Sequence, residues 1–274
     1  MKQGSPWLIG VTVWGQKVDF ERIHTLVGGV PFITEKNARY LYDLIVDEQI
    51  ENVLELGIGH GASTCYIAAA LDEKSSGKVT AVDLEDPEEE LKHPWAEDLV
   101  QSTGLGDYVD VVRMKTGYNW FLHDKIAEQT SENRCEPCYD LCIIDGPKNW
   151  TIDGAAFFLV DKLLRDGGKI IFDDYKWTYA AADVQRKATD GICHRELSDA
   201  ERETPHVKEI VDLLVMQHPD YAEFTVLDDG EWIVANKQAG ANRKIVKYQR
   251  TITFEEILAR FVMLFRRGNQ IGPR

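Results

Sequence analysis

Several absences narrow the reading of these 274 residues before any motif is considered. No apolar run approaches the ~20 residues needed to cross a bilayer, so a membrane role is not expected. The opening Met1-Lys-Gln-Gly-Ser-Pro-Trp7 lacks the apolar stretch of a secretory signal. Cysteine is scarce and odd in number, five in all. With no signal to direct export, these thiols read as reduced and the protein as cytoplasmic. Positive charge is also short: 31 Lys and Arg stand against 46 Asp and Glu, a net charge of -15. A phosphate backbone needs a basic surface, so nucleic acid is not the expected partner. There is no internal repeat and no low-complexity linker.

What remains is a chain with 44% hydrophobic residues, enough for a sizeable core. Its charge is uneven: residues 237–274 carry nine Lys or Arg against Glu255 and Glu256. A basic tail on an acidic body suggests docking on that body or on a second copy. Within the tail, Phe254 to Phe265 places Ile257, Phe261, Leu264 and Phe265 on one helical stripe. That helix is the expected contact of a homodimer. Three regions follow: a cap over residues 1–30, a main domain over 31–237 and the tail over 238–274. The cap holds Trp7, Trp14, Phe20 and Leu26 without a clean period. Thr34 is the expected N-cap of a helix that buries Ala38, Leu41, Leu44 and Ile45.

The chain is organised around Val53-Leu-Glu-Leu-Gly-Ile-Gly-His-Gly-Ala-Ser-Thr64. Val53 to Leu56 reads as a buried strand, Gly57, Gly59 and Gly61 as a turn, and Ala62 as the start of an apolar helix. Glycine allows positive φ and close approach of a ligand to the backbone. The following helix aims its free N–H groups at the turn. The spacing is one residue short of the dinucleotide fingerprint G-x-G-x-x-G. Glu55, two residues before the first glycine, would repel a pyrophosphate and suit a cationic ligand. Val79 to Val82 forms the next strand and ends in Asp83. An acid there can accept both ribose hydroxyls of a nucleoside, whether that nucleoside belongs to a nicotinamide or a sulfonium cofactor.

Three further strands continue the alternation with helices: Tyr108 to Arg113, Tyr139 to Ile144, and Gly167 to Phe172. Cys135-x-x-Cys138 lies before the second of them. Without a second such pair it reads as a loop with free thiols, not a zinc site. The second strand ends in Asp145 and the third in Asp173-Asp174. Parallel strands bring these three carboxylates to one rim, where they repel unless protons or a cation intervene. Hard oxygen donors of this kind suit Mg²⁺. Tyr175 to Thr204, long and polar, reads as a lid over a substrate. A helix over 206–216 and a hairpin of Phe224–Leu227 with Trp232–Ala235 end the main domain.

Glu55-Leu-Gly-x-Gly-x-Gly61 resembles the first motif of class I S-adenosylmethionine (SAM) methyltransferases. Ile144-Asp-Gly-Pro-Lys148 and Ile171-Phe-Asp-Asp-Tyr175 are similar to the metal-site motifs of the divalent-cation-dependent O-methyltransferases. That group includes catechol and macrocin-type sugar O-methyltransferases, and the Asp-Asp pair is closer to the sugar branch. The resemblance implies an α/β fold: a Rossmann-like, seven-stranded, mostly parallel sheet with an antiparallel C-terminal hairpin. It implies that Glu55, Gly57, Gly59, Gly61, Ser63, Asp83 and Asp145 hold SAM. It also implies that Asp145, Asp173 and Asp174 hold Mg²⁺. Lys148, its pKa lowered by partial burial beside that cation, is the implied general base. The implied reaction is methyl transfer to a hydroxyl of a small vicinal-diol or catechol-like molecule. A metal-free methyltransferase and a non-enzymatic SAM-binding module are the alternatives.

Overall fold

The computed structural model describes residues 17–182, 188–227, 231–240 and 244–249. The chain enters through α1 (Phe20–Val27) and α2 (Glu35–Asp47). It then alternates β1 (Asn52–Leu56), α3 (Ala62–Lys74), β2 (Lys78–Leu84), α4 (Ala96–Thr103), β3 (Val109–Met114) and α5 (Tyr118–Gln129). A small hairpin, β4 (Thr130–Ser131) with β5 (Arg134–Cys135), precedes β6 (Tyr139–Ile144), α6 (Trp150–Leu163) and β7 (Leu164–Phe172). After α7 (Asp199–Glu203), α8 (His206–Ile210) runs on as a π-helical turn over Val211–Val215. Strands β8 (Tyr221–Leu227), β9 (Trp232–Lys237) and β10 (Ile245–Gln249) follow.

Local chemistry sets the helices that matter most for the site. Thr34 caps α2, its hydroxyl accepting the Asn37 N–H at 3.2 Å, and Ala38, Leu41, Leu44 and Ile45 are all buried. Helix α3 is buried on nearly every side from Ala62 to Leu71, and the small side chains of Ala68, Ala69 and Ala70 permit its close approach to neighbouring elements.

The main sheet has the order β10-β8-β9-β7-β6-β1-β2-β3. Strands β7, β6, β1, β2 and β3 are mutually parallel, and β9 runs antiparallel to both β7 and β8. The chain winds outward from β1 through β2 to β3, then returns to place β6 on the other side of β1. The carboxyl ends of β1 and β6 therefore flank a topological switch point, where open α/β sheets bind ligands. One apolar cluster, with α1, α2, α3 and α4, covers one face of the sheet; a second, with α5, α6 and α8, covers the other.

One expectation needs correction. The sheet has eight strands, not seven, because Ile245–Gln249 of the basic tail pairs in parallel with β8. Strand β8 would otherwise be an open edge, and an extended segment that pairs with it satisfies its backbone groups. The cap also contains an ordered helix: Phe20, Ile23 and Val27 of α1 are buried, and the Phe20 ring stacks on Tyr66 of α3 at 5.4 Å. The amphipathic stripe over 254–265, and Trp7 and Trp14 of the cap, lie outside the described residues. Among the described residues no helix is long and apolar enough to cross a membrane.

Candidate active site

The site is built from the turn after β1 and from the residues at the carboxyl ends of β2, β6 and β7. Backbone pairing continues past the strand ends. The Gly57 N–H donates to Val82 O at 2.9 Å, Asp145 N–H to Leu56 O at 2.8 Å, and Asp173 N–H to Ile144 O at 3.1 Å. This carries the ladder to the rim and fixes the following side chains beside one another. Gly57 has φ +93, and a Cβ there would collide with the Asp145 carbonyl oxygen. Only glycine lets the β1 turn and the β6 exit come this close.

On the glycine side the hydrogen bonds to the acids come from neutral donors. One Asp83 carboxylate oxygen accepts the N–H groups of Ile58 and Gly59 at 2.9 and 3.1 Å. The other accepts Leu84 N–H at 2.7 Å, and the Arg113 guanidinium stands 4.0 Å from the carboxylate. Asp83 thus anchors the glycine turn. Glu55 is 1% exposed and receives the hydroxyls of Ser63 and Thr64, the latter at 2.5 Å. Burial pushes its carboxyl up to about 7, against the pull of the two hydroxyls. Glu55 and Ser63, both assigned to the cofactor by resemblance, are therefore bonded to each other. The Phe32 ring stacks on His60 of the turn at 5.5 Å and has φ +80. Sequence reasoning missed both residues; a left-handed phenylalanine leaves no sequence signal.

On the other side of the seam, Asp145, Asp173 and Asp174 converge on a single atom, Nζ of Lys148. This ammonium bonds Asp145, donates to Asp173 at 3.1 Å and lies 3.5 Å from Asp174. Burial by itself would lower the Lys148 pKa, as the resemblance implied, but the three carboxylates together raise it. In this arrangement the three carboxylates keep the Lys148 amine protonated. Burial and the Asp173 charge push Asp145 well up, whereas Lys148 holds Asp173 down against burial. Trp232 at the start of β9 donates its indole N–H to Asp173 at 2.6 Å. The antiparallel hairpin brings it there, and strand patterning alone treats it as core.

Among the described residues no group of three His, Cys, Asp or Glu side chains is arranged as a ready metal site. The Lys148 nitrogen stands among the three carboxylates. The donors themselves are hard oxygens from three side chains aimed at one cation, which fits Mg²⁺ if the lysine withdraws. Other readings resolve more simply. Cys135 and Cys138 carry free thiols and Cys142 is buried in β6. Trp120 is exposed and stacks on His123, whereas Tyr118 is buried and bonds Asp153. At the start of the expected lid, Trp177 meets Tyr179 edge-on at 4.8 Å. The Tyr179 hydroxyl donates to Pro147 O at 3.0 Å, tying this segment to the loop that carries Lys148.

Comparison with known proteins agrees with this architecture. Residues 54–175 match a sequence family described as a methyltransferase domain. No curated protein matches the chain by sequence. Among solved structures, the chain resembles an O-methyltransferase from Bacillus cereus in complex with S-adenosylhomocysteine. Identity is 20%, the match covers 83% of this chain and 94% of that one, and the TM-score is 0.53. It also resembles the O-methyltransferase TomG from Streptomyces achromogenes in complex with SAM, at 18% identity, 80% and 87% coverage and a TM-score of 0.50. The S-adenosylhomocysteine-bound methyltransferase PaMTH1 from Podospora anserina is similar at 14% identity, 76% and 80% coverage and a TM-score of 0.51. At these identities the likeness is one of fold. The matched span, residues 54–175, takes in the glycine turn at the switch point and the strand-end acids, and over that span the chain is similar to a methyltransferase domain.

Proposed function

We propose that the protein transfers the methyl group of SAM to a hydroxyl of a small vicinal-diol or catechol-like substrate, with a divalent cation held by Asp145, Asp173 and Asp174. The observation that carries this reading is the convergence of three carboxylates from two adjacent strand ends on one cationic position, beside the glycine turn. The likeness to O-methyltransferases from Bacillus cereus and Streptomyces achromogenes supports oxygen as the acceptor atom. When bound, Mg²⁺ would lower the pKa of a chelated hydroxyl. The glycine turn and Asp83 orient the nucleoside, and Glu55 braces the first turn of α3 beneath it. Trp232 keeps the Asp173 carboxylate facing the rim. Asp145, Asp173 and Asp174 would hold that cation, and Lys148, having first released its own proton to solvent, would stand as a neutral amine able to take the proton of the substrate hydroxyl. Placement of the two reactants in line supplies much of the rate.

The test is transfer of labelled methyl from SAM to catechol before and after exhaustive chelation. Loss of turnover on chelation and its recovery with Mg²⁺ support the reading. A second reading has its own observation, since Lys148 already bridges all three acids and could serve as a permanent cation. Unchanged turnover after chelation would establish that alternative and refute the metal.

A further inference from the structure

The loop between β6 and α6 holds Lys148 at φ +61, a left-handed backbone that a lysine seldom adopts. Conformations of this kind persist only where the surroundings over-determine them. Beneath the loop lies Asp153, in the first turn of α6 and 1% exposed. One of its oxygens accepts the backbone N–H of Asn149, the residue after Lys148, at 2.6 Å. The other accepts the hydroxyl of Tyr118, which is itself 6% exposed at the start of α5. A Cβ at Gly146 would collide with both that hydroxyl and the Asp153 oxygen, so the loop is drawn down onto this pair. Asn149 completes the frame. Its side-chain oxygen caps α6 through Thr151 and Ile152, and its Nδ2 donates to Thr189 O at 2.9 Å. Asp153 thus faces neither solvent nor the rim, and both of its oxygens are engaged in holding the turn.

We infer that Asp153, backed by Tyr118, is the positioning residue for Lys148: it holds the turn that aims the ammonium at the strand-end carboxylates. The catalytic consequence rests on the proposed methyl transfer; the structural claim does not. The first test labels lysines with an N-hydroxysuccinimide ester and reads each site by mass spectrometry, so it needs neither metal nor methyl acceptor. In Asp153→Ala, labelling at Lys148 should rise by about tenfold, as expected for a locally opened segment. Lys237, 12% exposed and paired with Asp161 at 3.0 Å, is the internal control and should not change. Equal acceleration at both lysines would mean that Asp153 supports only the fold, and no change at Lys148 would equally overturn the inference. Should Asp153→Ala not fold, Tyr118→Phe keeps the ring, and Lys148 labelling should rise by about threefold for the loss of one hydrogen bond.

The second test is a double-mutant cycle on methyl transfer to catechol. Asp153→Ala should lower kcat with little change in the KM for SAM, and should add nothing further in a Lys148→Ala background. Equal losses in both backgrounds would overturn the positioning role. A Lys148→Ala enzyme as active as the parent would instead refute the catalytic part of the proposed function, leaving the labelling result to decide the positioning.

Discussion

The two halves of the rim stabilise their acids in opposite ways. On the glycine side, Glu55 and Asp83 are met by hydroxyls and backbone N–H groups, which belong to the turn and the helix it opens. The amides among these partners are part of the backbone, and the two hydroxyls sit on short side chains. On the other side, Asp145, Asp173 and Asp174 share one ammonium at the end of a long side chain. Under the proposed reading this lysine head yields its place to a divalent cation. The contrast separates a rigid platform, suited to a cofactor of constant shape, from an exchangeable charge centre, suited to chemistry.

The largest expected effect tests the exchangeable side. Asp145→Ala removes the acid that both adjoins Gly57 and bonds Lys148, and methyl transfer to catechol should fall by about 10³-fold, the scale of losing a principal electrostatic group. A rate within about tenfold of the parent would place the charge centre elsewhere.

The next tests the rigid side through pH. Glu55 keeps its proton up to about 7 when folded, whereas its ordinary value is 4.5. Its contribution to stability is therefore fully present below the unfolded value and is lost as pH rises through the folded one. Over that window the loss should amount to about 3 kcal/mol. Glu55→Gln, which cannot ionise, should remove this slope in urea unfolding at the two ends of the window. Parallel pH profiles for parent and variant would show that Glu55 is not held as the structure has it.

The smallest effect sharpens the boundary between the halves. Trp232→Phe keeps an aromatic ring in the core but removes the one indole bond to Asp173. The methyl-transfer rate should drop by about tenfold, the worth of a hydrogen bond to a charged group, with little change in melting temperature. A drop in melting temperature without a change in rate would make Trp232 a packing residue only.

Much of the frame was legible in the chain itself. The strand from Val53, the Thr34 cap, the acids that close β2, β6 and β7, and the terminal hairpin all stand where periodicity and turn residues placed them. Helix α1 was not, because three buried positions in eight residues give too short a period to distinguish from an irregular cap. Strand β10 was missed for a different reason: an exposed, mixed-polarity segment becomes a strand only when a free edge lies alongside. At the site, the carboxylates and the nearby Lys148 were legible, whereas the partners from other elements were not. Trp232, Phe32 and Asp153 reach it from distant or ordinary-looking positions.

The sequence by itself determined which strands end in acids and where glycine opens the chain, since these depend on neighbours a few residues apart. Only the tertiary structure decided what answers each charge: hydroxyls for Glu55, amides for Asp83, a lysine head for the other three. Burial and distance set the proton on each of those groups, and both arise from packing between segments that the chain order keeps far apart.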